Sequence, residues 1–263
     1  MTILKYISPI LLLIILLGSL IYFHQERLLF FPDKLPAGYK YTFPYQFKEF
    51  FFNVDKKTSL NGLLCKADSS KGLVFYLHGN AGCLDSWGQI AGVYLQHHYD
   101  FFILDYRGYG KSQGKISGEE KFLNDIQIVY DSVKADYNEK NIVIIGYSIG
   151  TGPATWLASA NHPKLLILQA PYFNMPDLAR HYFKIIPSFM VRYKFRTDRY
   201  ITCVKCPVII FHGNRDEVIY TGSSYKLKKL FKSDDSLIIL EGQKHNGIND
   251  NEMYQEELKH RLK

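Results

Sequence analysis

The sequence predicts an α/β fold: a mostly parallel central sheet with helices on both faces. Three observations predict it. Short runs of continuously apolar, β-branched residues recur along the chain. Segments with helical apolar spacing lie between them. One run ends directly in a serine flanked by glycines. Strands that are apolar at every position are buried on both faces, which is the condition of a parallel sheet covered by helices.

The elements follow in order. Residues 6–23 carry no charge, and their centre, 10–17, is almost pure Leu and Ile. A run of about 18 such residues is near the minimum for crossing a bilayer. Residues 1–24 are therefore expected to form a transmembrane anchor. A cleaved signal peptide is the rival, with Lys5 alone as its basic start and no good cleavage site after it. Residues 25–46, rich in Pro and Tyr, read as a juxtamembrane linker. Residues 47–263 read as one domain, since 47% hydrophobic content over 263 residues suffices for one sizeable core.

Within that domain, residues 50–54 and 60–65 read as a hairpin across the polar turn Asp55-Lys56-Lys57. Strands are expected at 72–77, 101–104, 142–145, 165–168, 208–211 and 237–240. Helices are expected at 86–96, 118–137 and 149–160, between the last two strands, and after the last. The second of these helices shows Phe122, Ile126, Val129 and Val133 at helical spacing. The alternation breaks once, between Pro171 and Cys206, where no strand pattern appears. This stretch, about 172–205, reads as a small cap over the carboxyl edge of the sheet. Its Phe183, Phe189, Met190, Tyr193 and Phe195 are expected to offer apolar surface to an acyl chain. Its Arg180, Lys184, Arg192, Lys194 and Arg196 are expected to face anionic headgroups.

Composition narrows the function classes. Net charge is +7, yet no basic arm or nucleic-acid motif appears, so no nucleic-acid partner is expected. The partners expected are a lipid bilayer and a small or acylated substrate, with no obligate protein partner evident. Cys203 and Cys206 have metal-like spacing without a second pair, and Cys65 and Cys83 stand apart. Neither a metal, a cofactor nor a disulfide framework is expected.

The chemistry concentrates at the predicted carboxyl ends of the strands, where parallel α/β sheets hold their ligands. Gly146-Tyr147-Ser148-Ile149-Gly150 follows one strand. G-x-S-x-G after a strand reads as a sharp turn into a helix that lifts the serine hydroxyl clear of the sheet. Asp216 follows a later strand, in His212-Gly213-Asn214-Arg215-Asp216, and His245 follows the last. A serine hydroxyl needs a base to remove its proton, which His245 supplies, and an acid to orient that base, which Asp216 supplies. Glu217 and Asp177 are the rival acids. Ile149 N–H and Asn80 N–H are the expected oxyanion donors, with Ala81 as the alternative to Asn80. Ala81, Tyr147, Phe183 and Met190 are the expected substrate-binding residues. His78 is expected to brace the oxyanion loop, Asp105 and Arg107 to form a structural pair, and His212 to be a packed histidine beside Asp216.

His78-Gly79-Asn80-Ala81-Gly82, Asp105-Tyr106-Arg107-Gly108-Tyr109-Gly110-Lys111-Ser112 and Gly146-Tyr147-Ser148-Ile149-Gly150 together resemble the α/β-hydrolase superfamily. Within it, they resemble the single-pass, membrane-anchored branch, some of whose members are protein depalmitoylases. The resemblance covers nearly the whole chain. It implies a serine hydrolase with Ser148 as nucleophile, Asp216 as acid, His245 as base, and Asn80 and Ile149 at the oxyanion hole. The expected reaction is cleavage of an acyl ester or thioester through an acyl-enzyme. A serine peptidase with the same triad, or a non-catalytic scaffold on the same fold, are the alternatives.

Overall fold

The computed structural model describes the backbone of residues 2–263 and the side chains of residue 9 and residues 11–263. Its strands are β1 (Phe31–Pro32), β2 (Phe47–Asp55), β3 (Thr58–Cys65), β4 (Gly72–Leu77), β5 (Ala81–Gly82), β6 (Tyr99–Leu104), β7 (Ile142–Tyr147), β8 (Leu165–Gln169), β9 (Val208–Gly213) and β10 (Ser236–Leu240). Its helices are α1 (Thr2–Phe23), α2 (Glu26–Leu29), α3 (Leu84–Trp87), α4 (Ala91–Leu95), α5 (Glu119–Lys134), α6 (Thr151–Ala160), α7 (Met175–Tyr182), α8 (Thr197–Tyr200), α9 (Gly222–Lys228) and α10 (Glu252–Arg261).

One sheet runs β10-β9-β8-β7-β4-β6-β3-β2. It is parallel from β10 to β6 and antiparallel at β3 and β2, the predicted hairpin. Side chains alternate across a strand, so one apolar strand feeds two cores. Leu73, Phe75 and Leu77 of β4 pack on one face with Phe122, Ile126 and Val129 of α5. Val74 and Tyr76 pack on the other with Tyr94 of α4 and Tyr254 and Leu258 of α10.

The helix predicted over 86–96 is instead broken into α3, a 3-10 turn at Gly88–Ile90, and α4. Gly88 lies under the ring of Phe43, where a Cβ would come within 2.5 Å of the ring carbons. The carbonyl of Gly88 accepts the Tyr45 hydroxyl. The Pro- and Tyr-rich stretch therefore packs on this segment and shapes it. The same stretch adds β1 in parallel to β5, the strand continuing from the His78-Gly79-Asn80 loop.

Among the described residues, no helix is long and apolar enough to cross a membrane. The predicted span falls on α1, and part of it (residues 1–8 and 10) lies outside the described side chains. Leu11 to Leu17, Leu20, Ile21 and Phe23 are exposed. The structure thus shows an exposed apolar helix and no demonstrated span. The cap segment holds α7, α8 and two short 3-10 turns, and no strand.

Candidate active site

The sheet delivers its polar residues to one edge. β7 is buried at every position and ends at Tyr147. Ser148 then takes φ +51°, in the left-handed region that non-glycine residues avoid. Such a conformation costs on the order of 1–3 kcal/mol and persists where packing enforces it. The flanking glycines show how. A Cβ at Gly146 would stand 2.6 Å from Ala154 Cβ and from the Gly150 carbonyl. A Cβ at Gly150 would stand 2.3 Å from the Leu77 carbonyl. The turn is so tight against β4 and α6 that only hydrogen fits at either position.

Ser148 Oγ lies 3.0 Å from His245 Nε2, and His245 Nδ1 lies 2.7 Å from Asp216 Oδ2. Ser148 and His245 are nearly buried, at 6% and 8% exposure, and the Asp216 carboxylate is fully buried. Its Oδ1 accepts the N–H groups of Val218 and Ile219, each at 2.8 Å. His212 Nε2 stands 3.2 Å from Oδ2. Burial alone would raise the Asp216 carboxyl. The hydrogen bonds from His212, His245 and the Ile219 N–H outweigh that and hold it well below the usual carboxylate range. The expected rivals are elsewhere. Asp177 is bound by Lys226 and the Tyr220 hydroxyl, and Glu217 is exposed on the surface.

The loop after β4 faces the serine turn, since Gly79 packs against Tyr147 and the Gly150 turn abuts the carbonyls of Leu77 and His78. The carbonyls of this loop are occupied. Asn80 O accepts from Phe31 N–H and the Tyr109 hydroxyl, Ala81 O from the Trp87 indole, and Gly82 O from Asp33 N–H. Among the described residues, the Asn80 N–H has no backbone acceptor. Ile149 follows the serine in the first helical turn, where N–H groups lack intrahelical partners.

His78 is fully buried, and its Nδ1 donates to the Gly79 carbonyl at 2.7 Å. Burial pushes its pKa down to about 4, which keeps the ring neutral. Asp105 and Arg107 do not pair with each other. Arg107 forks onto Asp125 of α5 and also reaches Asp55 at 2.9 Å. Asp105 accepts Leu84 N–H at the start of α3 and lies 3.7 Å from His78 Nε2. Two residues apart in the loop after β6, they have separate partners.

The expected substrate-binding residues divide. Ala81 is exposed at the loop. Tyr147 is buried, and its hydroxyl donates to the His245 carbonyl. It braces the base and offers little surface to a ligand. Phe183 is exposed at the end of α7. Met190 packs on α1, its methyl beside Gly18 and its carbonyl accepting from Gln25. Tyr193 and Phe195 are fully buried beside Phe30 and Phe122, so they are core and not a lining for an acyl chain. Arg192 pairs with Glu26 at 3.2 Å and Arg196 with Asp198 at 2.6 Å. Neither is a free cation.

Two residues at the site escaped the sequence reading. The Tyr172 hydroxyl receives Gly152 N–H and donates to the Ile149 carbonyl, pinning the start of α6. Trp87 meets Tyr147 edge-to-face with ring centroids 5.3 Å apart. Neither lies in a motif; their roles come from distant elements meeting.

A serine, a histidine and a carboxylate in relay on this fold define the serine hydrolases of the α/β-hydrolase superfamily. The chain belongs to the Hydrolase_4 family, described as Serine aminopeptidase, S33, whose model matches residues 68–202, about half of the chain. It is 30% identical over 190 residues to the lysophosphatidylserine lipase ABHD12 of Danio rerio, covering 64% of this chain and 50% of that protein. It is 32% identical over 205 residues to the alpha/beta hydrolase domain-containing protein 17C of Mus musculus, covering 73% of this chain and 60% of that protein. The chain spans about half the length of the first of these relatives. The esterase Pf2001 of Pyrococcus furiosus shares the fold, with a TM-score of 0.67 at 20% identity, over 88% of this chain and 98% of that one.

Proposed function

We propose that the chain hydrolyses acyl esters through an acyl-enzyme on Ser148. The observation that carries the reading is the unbroken relay from Asp216 through His245 to Ser148, at 2.7 and 3.0 Å, on a strained serine turn. As Ser148 Oγ bonds to the acyl carbon, His245 Nε2 takes its proton. The carbonyl electrons move to oxygen, where Ile149 and Asn80 N–H groups receive the charge. One such donor contributes roughly 3 kcal/mol. Asp216, held ionised, stabilises the imidazolium. Collapse breaks the bond to the leaving group, which takes the proton from His245. Water then repeats the sequence and releases the acid.

The substrate class we favour is a lipid acyl ester presented at a membrane. The lysophosphatidylserine lipase among the relatives supports the ester. The exposed leucines of α1 and the exposed Phe183, Ile185 and Phe189 of the cap support membrane association, with α1 as the anchor. The experiment is a panel on purified full-length chain: p-nitrophenyl esters of graded length, lysophosphatidylserine, an acyl-thioester and aminoacyl p-nitroanilides, with fluorophosphonate labelling in parallel. Ester turnover and labelling that both vanish in Ser148→Ala support the reading. The family's description favours a second reading, an aminopeptidase. Turnover of the anilides alone would decide for it.

A further inference from the structure

A cleft of ≈ 610 Å³ opens where α1 ends, away from the catalytic residues, since none of Ser148, Asp216 and His245 lines it. Its apolar wall includes Phe23, Phe30 and Ile116. Arg27, Lys34 and Lys115 also line it, and all three are exposed. The other charges there are already balanced. Arg192 pairs with Glu26, and Arg107 with Asp125 and Asp55. Among the described residues, Arg27, Lys34 and Lys115 have no carboxylate partner. The cleft therefore carries three uncompensated positive charges over an apolar wall.

We propose that this cleft binds the phosphate headgroup of an anionic glycerophospholipid. The three cations come from separate stretches of chain, so the fold gathers them. A phosphate entering the cleft would find these cations on its lining, and charge-assisted contacts of this kind are the stronger hydrogen bonds. The apolar wall decides between a lipid and a free phosphate ion, because an ion gains nothing from Phe23, Phe30 and Ile116. Of the cleft's lining, Phe23 is exposed, and the same amino-terminal segment also exposes Leu20, Leu28 and Phe31. A headgroup held there places its glycerol and acyl stubs along that face. The lipid would be a regulator or orienting ligand, bound apart from the ester being cleaved. The inference rests on the membrane reading only for the direction from which the lipid arrives.

The test uses full-length chain carrying Ser148→Ala, so that no lipid is consumed, in a neutral detergent. Dihexanoylphosphatidylserine, dihexanoylphosphatidylcholine and inorganic phosphate are titrated by calorimetry. The anionic lipid should bind, and Arg27→Gln/Lys34→Gln/Lys115→Gln together should weaken it about tenfold or more. The charge-preserving set Arg27→Lys/Lys34→Arg/Lys115→Arg should keep most of the affinity. A remote set, Lys228→Gln/Lys229→Gln/Lys205→Gln, should leave it unchanged. On an otherwise wild-type chain, the cleft substitutions should leave turnover of a short soluble ester intact, which also reports correct folding. Unchanged lipid affinity in the triple glutamine variant would overturn the proposal. So would phosphatidylcholine binding as tightly as phosphatidylserine, or inorganic phosphate binding as tightly as the lipid. Because binding is read without turnover, its failure leaves the hydrolase reading standing, and the reverse also holds.

Discussion

At the scale of single residues, Asp216 is held from four directions. Two backbone N–H groups and two histidines converge on a fully buried carboxylate. Asp216→Asn should lower turnover about 10⁴-fold, because the amide orients the wrong tautomer of His245. Circular dichroism should show the fold retained. The pH profile follows from the same geometry. Asp216 is held ionised well below the usual carboxylate range, so it does not contribute to the acid limb of the profile. Protonated His245 cannot accept the Ser148 proton, so turnover should fall on acidification with a slope of one proton. A slope of two, measured as kcat/KM against pH on a soluble ester, would mean a second group titrates with the base. That Ser148, His245 and Asp216 meet was legible from sequence because their residue types are few and their chain order matches the strand order. His212 was legible only as a neighbour. Its Nδ1 is held by the Ser224 hydroxyl at 2.6 Å and its Nε2 by the Ile219 carbonyl at 2.8 Å. Those bonds depend on how the loop folds back, which no spacing reveals.

At the scale of elements, strands and the helices of the central alternation were legible because burial on both faces imposes an all-apolar run. What was not legible was which loops fasten which elements. Arg107 shows this: local spacing suggested Asp105, while the fold supplies Asp125 from α5 and Asp55 from the end of β2. The Asp125 side chain is nearly buried. Arg107→Ala should therefore cost about 3–5 kcal/mol, since it strands a buried carboxylate. Arg107→Met combined with Asp125→Leu should recover much of that loss. Denaturant midpoints of the two variants decide it; equal loss in both would assign the cost to Asp55 or to packing. The cap is fastened in the same non-local way. Glu119 at the start of α5 accepts Lys194 N–H at 2.6 Å and Phe195 N–H at 3.2 Å. Tyr193 and Phe195 are thereby drawn into the core. From composition they looked like a lining for an acyl chain, because an aromatic in an insert reads the same whether it faces a substrate or the protein.

At the scale of the whole molecule, the amino-terminal segment is joined to the rest of the chain at several places, of which two bear on the site and the cap. β1 pairs with the loop that carries Asn80. Gln25, nearly buried, donates through Nε2 to the Met190 carbonyl and accepts Arg192 N–H at 2.9 Å, while Glu26 accepts the Tyr193 hydroxyl at 2.8 Å. Both of these junctions lie after α1, whose own contacts with the cap are those of Gly18 with Met190 and Tyr22 with Arg192. A chain lacking residues 1–23 keeps both junctions. It should lose membrane association, hydrolyse a short soluble ester at the full-length rate and unfold near the full-length temperature. A chain lacking residues 1–29 loses the Gln25 and Glu26 junction, which exposes Tyr193 and leaves two cap backbone groups without partners. With each lost hydrogen bond contributing about 1 kcal/mol and each stranded group 1–3 kcal/mol, it should be less stable by several kcal/mol. Gln25→Ala in the full-length chain should reproduce a part of that loss, about 2 kcal/mol, while retaining membrane association. Thermal melts of the three variants, with vesicle flotation of each, separate the roles. A 1–23 deletion that melts as low as the 1–29 deletion would place the structural junction within α1 itself, through contacts such as Tyr22 with Arg192.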